Sequence, residues 1–128
     1  MSEFTLDASI LLAILGREAG WESAADLATP GCLISTVNLS EVVAKLRERG
    51  VSETDVKRGI RSFDMEIMEF TQTLAWDAGF LRTLTMSKGL SLGDRACLAL
   101  ARQMQMPALT KDRSWEGLDV GIEIHVVR

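Results

Sequence analysis

Four acidic residues occupy positions in the sequence where a carboxylate could bind a cation. Asp7 follows the short apolar segment FTL, and Asp112 lies just past the segment PALT. Asp94 and Glu41 each fall in the first turn of an expected helix, within SLGDRACLALA and NLSEV. Four carboxylates held close together repel one another, and some would be protonated unless a cation lay among them. Because Mg²⁺ and Mn²⁺ prefer hard oxygen ligands, the four residues predict a site for divalent cations, two of which would balance their charge.

Each of these acids also has a purely structural explanation. Asp94 lies three residues after Ser91, which suits a capping arrangement and the helix dipole. Asp7 precedes a helix and could be its cap, and Asp112 could be a turn residue. Glu41 lies off the apolar stripe of its helix, as an ordinary solvent-facing glutamate would. Only their joint placement favours a functional site over four separate structural roles.

The elements that must position these acids alternate along the chain. Apolar runs predict strands at residues 4–6, 32–35, 65–70, 107–110 and 121–127. Periodic apolar spacing and capping residues predict helices at 9–15, 21–28, 36–50 (capped by Thr36), 52–63, 74–86 and 91–104. Such alternation with short connections favours a parallel α/β sheet between helical layers, in a single domain over residues 1–128. The functional edge of such a sheet lies at the carboxyl ends of its strands, where the four acids would meet.

The composition limits which classes of protein the chain can belong to. The chain has 128 residues, of which 47% are hydrophobic and 25% charged, as expected for one globular domain. The apolar run ILLAIL is far shorter than the ~20 residues of a membrane span, and MSEFTLD lacks the basic start of a signal peptide. Cys32 and Cys97 provide no disulfide framework and are expected in the core. These features favour a cytoplasmic protein with no membrane association.

The charges are unevenly distributed. The net charge of −4 by itself argues against a nucleic-acid partner. Residues 81–113, however, carry six basic residues against two aspartates, whereas residues 1–44 carry six acids against one arginine. Arg95, Lys111 and Arg113 are therefore candidates for phosphate contacts near the acidic edge, with solvated surface charge as the alternative for each.

Other chemistries have less support. A metal-free general acid–base mechanism commonly uses two histidines, whereas the only histidine is His125, which is expected to be a structural or surface residue of the last strand. No glycine-rich phosphate loop is present. A receiver-type phosphoacceptor domain has a similar size and architecture, and Lys111 could serve as its lysine. Asp7 nevertheless has no acidic neighbour, and CLISTVN supplies no phosphoacceptor aspartate.

The four acidic motifs together resemble a known family. LDAS, NLSEV, SLGDRACLALA and LTKDRSW resemble, in order and spacing, the motifs of PIN-domain ribonucleases, and more narrowly of VapC-type toxins from toxin–antitoxin pairs. The resemblance covers essentially the whole chain. It implies a PIN-like three-layer fold with a central, mostly parallel sheet flanked by helices. It also implies an acidic pocket for Mg²⁺ or Mn²⁺ and metal-dependent cleavage of RNA, which fits a two-metal mechanism.

The resemblance further implies roles for individual residues and partners. Asp7, Glu41, Asp94 and Asp112 match the acidic quartet of the family. For a two-metal mechanism we expect Asp7 and Asp94 to be the main metal ligands and Asp112 to bind or orient a second ion or its waters. Glu41 is expected to hold a metal-bound water, either directly or through another group. Ser9 and Thr110 match polar positions that support the quartet. The implied partners are an RNA substrate, a cognate antitoxin and a second copy of the chain. A catalytically silent, partner-binding module is the main alternative, and the intact quartet counts against it.

Overall fold

The strands form one parallel sheet, as the alternating pattern predicts. The computed structural model describes residues 3–128, and within them the sheet has the order β3-β2-β1-β4-β5, with every pairing parallel. The strands are β1 (Thr5–Leu6), β2 (Leu33–Ser35), β3 (Glu66–Met68), β4 (Ala108–Thr110) and β5 (Ile124–Val126). The chain runs outward from β1 to β3 and then crosses to β4. The crevice between β1 and β4 is therefore the switch point at which sheets of this kind bind ligands.

Six α-helices cover the two faces of this sheet within the described residues. They are α1 (Ala8–Gly16), α2 (Trp21–Leu27), α3 (Thr36–Glu48), α4 (Glu53–Arg61), α5 (Gln72–Thr85) and α6 (Leu92–Met104). Two short 3₁₀ turns, Met86–Lys88 and Arg113–Trp115, follow α5 and β4. No helix in residues 3–128 is long and apolar enough to cross a membrane.

The core consists of two apolar clusters on opposite faces of the sheet. Successive strand residues alternate between them: Leu33 and Ala108 join one cluster, and Ile34 and Leu109 join the other. Helices α1 to α4 pack on the second face, and α5 and α6 pack on the first. The predicted three-layer α/β class is therefore confirmed. Cys32 and Cys97 are free and buried, as expected.

Several predicted boundaries are wrong by one or two residues. Ser35, and not Thr36, caps α3, with its Oγ accepting the Val37 N–H at 3.2 Å. The Thr36 hydroxyl instead accepts the Phe70 N–H at 3.1 Å, which ties the chain after β3 to this helix. Helix α5 begins at Gln72, before the predicted residue 74, because Thr71 caps it. Adjacent hydroxyl residues can each serve as a cap, and tertiary contacts decide between them.

Helix α6 has the buried body and polar start that its sequence predicts. Ala96 to Ala101 are all fully buried, and the four small residues among these six let the helix lie close to the sheet. Its first turn forms a reciprocal capping box between Ser91 and Asp94. The rigid, buried body of α6 therefore determines where Asp94 lies.

Candidate functional site

Asp7 lies at the end of β1, beside β4. Its backbone N–H donates to the Leu109 carbonyl at 2.9 Å, and its side chain is only 5% exposed. Asp7 occupies the N-cap position of α1, yet its carboxylate accepts no capping hydrogen bond from the backbone N–H groups of that helix. Oδ2 instead accepts hydrogen bonds from Ser9 Oγ at 2.8 Å and from Thr110 Oγ1 at 3.0 Å. The carboxylate is thus held by one hydroxyl from α1 and one from β4, at the switch point of the sheet, and does not cap the helix.

Ser9 and Thr110 act as a relay between backbone amides and this carboxylate. The Lys111 N–H donates to Ser9 Oγ, and the Asp112 N–H donates to Thr110 Oγ1, each at 3.0 Å. Each hydroxyl therefore accepts from an amide and donates its own proton to Asp7. Within residues 3–128, Asp7 Oδ1 has no hydrogen-bond partner, which leaves this oxygen for a ligand.

Glu41 is half-buried in the first half of α3 and points towards α6. Its Oε1 accepts a hydrogen bond from Asn38 Nδ2 at 2.8 Å, and the same nitrogen donates to the Gly93 carbonyl at 2.9 Å. Glu41 is therefore not the fully solvent-facing residue of the structural explanation. This side of α3 packs against the first turn of α6 and is only partly exposed to solvent.

Asp94 caps its helix and also lies near the other acids, so its structural and its functional explanation are compatible. Its Oδ2 accepts the Ser91 N–H at 2.9 Å, and its own N–H donates to Ser91 Oγ at 3.2 Å. The carboxyl is nevertheless close enough to Asp7 and Glu41 to affect the pKa of both. The capped helix thus holds Asp94 beside the other two acids.

The three carboxyl groups form one electrostatic site. Burial raises the pKa of Asp7 from 3.8 to about 6; the charges of Asp94 and Glu41 add to the rise, and the hydrogen bonds from Ser9 and Thr110 oppose it. Burial, followed by the charge of Asp94, also raises the pKa of Glu41, against the hydrogen bond from Asn38. The fully buried Cys97 lies close by, and burial together with these three charges raises the pKa of its thiol.

The fourth acid stands apart from this group. Asp112 is exposed, and its Oδ1 accepts the Ser114 N–H at 2.9 Å, so it caps the 3₁₀ turn Arg113–Trp115. Its only described link to Asp7 runs through its backbone N–H and the Thr110 hydroxyl. Asp112 therefore has the turn role that its structural explanation predicts. Its metal-binding role stays a prediction.

The three candidate phosphate contacts differ in availability. Arg95 Nη1 donates to the Ala78 carbonyl at 2.9 Å, and the Lys111 ammonium donates to the Ala19 carbonyl. Arg113 is exposed. Arg113 is therefore the most accessible of the three to an incoming phosphate, and all three contacts stay predictions.

The donor set suits a hard divalent cation in type and charge. Asp7, Glu41 and Asp94 offer carboxylate oxygens only, and their mutual repulsion is what a cation would relieve. In residues 3–128, however, no group of three or more His, Cys, Asp or Glu side chains stands ready to hold a metal ion. One oxygen of Asp94 is engaged in its cap and one of Asp112 in its turn, so a cation would have to draw the remaining oxygens together.

Asn38 is a residue of the site that the sequence motifs do not reveal. This residue is fully buried and joins Glu41 to the backbone of α6. Its one signal in the sequence is that it precedes Glu41 by three residues, a spacing that places both side chains on the same face of a helix. Its contact with Gly93 spans 55 residues and has no local signature.

Comparisons with known proteins agree with this architecture. The family model for the PIN domain matches residues 4–120. A toxin–antitoxin complex from Klebsiella pneumoniae is similar in structure, with a TM-score of 0.76 and 18% identity, over 100% of this chain and 98% of that chain. The DNA-bound VapBC of Salmonella typhimurium gives a TM-score of 0.75 with 20% identity over 100% of both chains.

A third similar structure carries a description of its activity. The Mycobacterium tuberculosis toxin VapC20, described as cleaving the sarcin–ricin loop, gives a TM-score of 0.67 with 19% identity, over 84% of this chain and 87% of that chain. No curated protein is a significant sequence match. At these identities the structural likeness establishes the fold.

Proposed function

The chain belongs to the PIN domain family, and we propose that it is a metal-dependent endoribonuclease, the toxin of a type II toxin–antitoxin pair. The observation that carries this proposal is Asp7, a buried carboxyl at the switch point of the sheet whose pKa is raised to about 6 beside two further acids. Buried carboxyl groups whose pKa values are strongly shifted by burial and by neighbouring charges are concentrated at functional sites. The similar structures support the toxin role, since they include toxin–antitoxin complexes and a toxin described as cleaving the sarcin–ricin loop.

The side chains divide the chemistry among them. Asp7 and Asp94 would hold Mg²⁺ or Mn²⁺, and Asp112 would have to turn towards them to join as a further ligand. The bound cation would supply charge neutralisation at the phosphate and activation of a water. The hydroxyls of Ser9 and Thr110 keep Asp7 Oδ2 fixed, so that Oδ1 faces the ligand. Glu41, with its raised pKa and fixed Oε1, is suited to orient a water and accept its proton at Oε2. Arg113, which is exposed, would contact an RNA phosphate.

The partner of the proposed toxin is an antitoxin, and a surface groove offers a place for it. The groove measures about 380 Å³ and lies between α3 and α4, with an apolar floor that includes Val43, Val56 and Ile60. Arg47, Lys57 and Arg61 outnumber Glu53 at its margins. An amphipathic antitoxin segment with acidic flanks would complement both features. None of the site acids lines this groove, so antitoxin binding and catalysis can be tested separately.

A second copy of the chain is the other proposed partner. Trp76, Phe80 and Leu84 are spaced four residues apart on α5, and their exposed fractions are 63%, 68% and 55%. We call these three residues the α5 stripe. An exposed apolar stripe on a single helix is self-complementary when two copies pack their α5 helices about a two-fold axis.

The activity is tested with purified protein and labelled RNA. We expect cleavage with Mg²⁺ or Mn²⁺ and none with EDTA. Asp94→Asn should lose more activity than the ~10–100-fold that follows removal of a supporting group at a metal site, because Asp94 is proposed to bind the metal itself. Asp26→Asn, an exposed acid on α2, is the matched control and should cleave normally. Cleavage that persists in EDTA, or normal cleavage by folded Asp94→Asn, would rule out the mechanism.

Metal binding is tested without RNA. Mg²⁺ or Mn²⁺ should raise the melting temperature of the wild type, because a ligand that binds only the folded state stabilises it. This rise should vanish in the double variant Asp7→Asn/Asp94→Asn. If the rise survives in that variant, the metal site has been misplaced. Metal binding without RNA cleavage would instead favour the catalytically silent, partner-binding module.

A further inference from the structure

Gly93 lies directly under the carboxyl group of Glu41. A Cβ atom added at Gly93 would overlap the carboxyl carbon and both oxygens of Glu41. Gly93 is buried within α6 and is not among the glycines with positive φ, so its backbone would accept any L-residue. The space above Gly93 is therefore needed by Glu41 and not by the backbone of α6.

Asn38 holds the same carboxyl through a hydrogen bond. Its amide nitrogen donates to Glu41 Oε1 at 2.8 Å and to the Gly93 carbonyl at 2.9 Å. A reversed amide would bring its oxygen against two acceptors, so the bonding pattern determines the orientation of Asn38. Within the described residues, the buried Asn38 Oδ1 has no partner, and the side chain is held by its two donated bonds alone. Asn38 thereby ties the Glu41 carboxyl to the residue that makes room for it.

We propose that Asn38 and Gly93 are positioning residues for Glu41. Together they hold its carboxyl against the first turn of α6, one residue from Asp94, and so set the distance between the acid supplied by α3 and the acids at the carboxyl edge of the sheet. This proposal rests on the proposed function only in giving Glu41 a part in the metal site.

A merely structural role for Gly93 makes the opposite prediction. Alanine favours a helix over glycine, and the atoms that obstruct a new methyl group belong to the flexible end of a side chain. Gly93→Ala should move Glu41 aside and break its bond to Asn38, which costs stability by itself. In the Glu41→Ala background that bond is already absent and no carboxyl obstructs the methyl group, so Gly93→Ala should there keep or raise the melting temperature without added metal. A glycine required for packing would lower the melting temperature in that background too.

The first test observes Asn38 directly, in protein without metal. In ¹H–¹⁵N spectra, both side-chain NH₂ hydrogens of Asn38 should exchange slowly in the wild type, since both are bonded within the protein. In Gly93→Ala, the hydrogen bonded to Glu41 should change shift and exchange faster, as it should in Glu41→Ala. The double variant Gly93→Ala/Glu41→Ala should match Glu41→Ala alone. Wild-type Asn38 signals in Gly93→Ala would overturn the proposal.

The second test measures Mn²⁺ affinity by electron paramagnetic resonance. Gly93→Ala should weaken binding by about 10-fold or more, the usual effect of losing a group that orients a ligand. In the Glu41→Ala background the same change should have no further effect, because nothing remains to be positioned. Equal losses in both backgrounds would overturn the proposal. If Gly93→Ala does not fold, Asn38→Leu is compared in the same two backgrounds with the same expectations.

The outcomes separate this proposal from the proposed function. If Asp7→Asn loses Mn²⁺ binding while Gly93→Ala binds as the wild type does, the nuclease proposal stands and the positioning roles are wrong. If the wild type neither binds Mn²⁺ nor cleaves RNA, the proposed function is wrong. The Asn38 spectra without metal then decide the positioning roles by themselves.

Discussion

At the scale of single residues, Asp7 is a buried carboxyl group that lowers the stability of the fold when charged and that is proposed to bind a cation. Burial and two neighbouring charges raise its pKa to about 6, although two hydroxyls donate hydrogen bonds to it. A shift of this size corresponds to about 3 kcal/mol between the charged and neutral forms. At neutral pH the fold therefore holds a charged carboxylate at a cost that a bound cation would offset.

This cost predicts the pH dependence of stability. A carboxyl whose pKa is raised by folding contributes stability below its unfolded pKa, near 4, and loses that contribution as the pH rises through about 6. In EDTA at pH 8, Asp7→Asn should therefore be more stable than the wild type by up to about 3 kcal/mol. Urea denaturation from pH 4 to 8 measures the difference, which should open between pH 4 and 6.

Subtracting the two curves removes the titration of groups that do not interact with Asp7. Asp26→Asn, whose carboxyl is exposed, should follow the wild-type curve throughout. If Asp7→Asn were less stable than the wild type at pH 8, the carboxylate would be part of the structural framework, and its assignment to a ligand site would lose its main support.

At the scale of elements, two variants in the first turn of α6 can distinguish its capping role from its proposed role in metal binding. Ser91→Ala removes the hydroxyl that accepts the Asp94 N–H but leaves the backbone N–H that donates to Asp94 Oδ2. It should lower the free energy of unfolding by about 1 kcal/mol and leave Mn²⁺ affinity nearly unchanged. Asp94→Asn retains a carbonyl acceptor for the Ser91 N–H, so it should keep most of the stability and lose the affinity.

Denaturation and Mn²⁺ titration of both variants test this division. The contradicting result is the reverse pattern, in which Ser91→Ala loses Mn²⁺ binding at unchanged stability. Asp94 would then depend on the Ser91 hydroxyl for its orientation, and the helix start could not be assigned to structure alone.

The parts of the site that could be predicted from sequence are those with local signatures. The spacing of Ser91 and Asp94 predicts a capping box, and strands alternating with helices predict a parallel sheet. The structure contains both, which confirms the two predictions. Asp7 follows an apolar segment and could be assigned to the edge of the sheet for the same reason. These features depend on neighbours along the chain, and their physical causes are visible in the sequence.

Other parts depend on how distant elements pack. The bond from Asn38 to Gly93 exists because α3 lies against α6, and no pattern near either residue indicates that contact. The same packing partly buries the side of α3 that carries Glu41, which the helical spacing alone suggests is exposed. The choice of Ser35 over Thr36 as a cap is likewise decided at a distance, by the contact between Thr36 and Phe70.

At the scale of the whole molecule, the acidic site, the α3–α4 groove and the α5 stripe share no residues. The α5 stripe is large enough to act as the centre of an interface. Trp and Phe side chains bury roughly 150–250 Å² each when fully enclosed, and more than half of each is exposed here. With Leu84, the stripe thus offers on the order of 300 Å² of apolar surface, against the ~800 Å² per partner of a standard interface.

We therefore expect the wild type to be a dimer at micromolar concentration, and Phe80→Glu to be a monomer. A two-fold axis through the stripe would bring the two introduced carboxylates close together, where they would be desolvated and would repel each other. Met104→Glu is the matched control, because Met104 is also exposed, at 39%, but lies at the end of α6 and outside the stripe. Light scattering coupled to size-exclusion chromatography measures the mass of each variant. A dimeric Phe80→Glu would place the interface elsewhere, and a monomeric wild type would mean that the stripe does not bind a second copy.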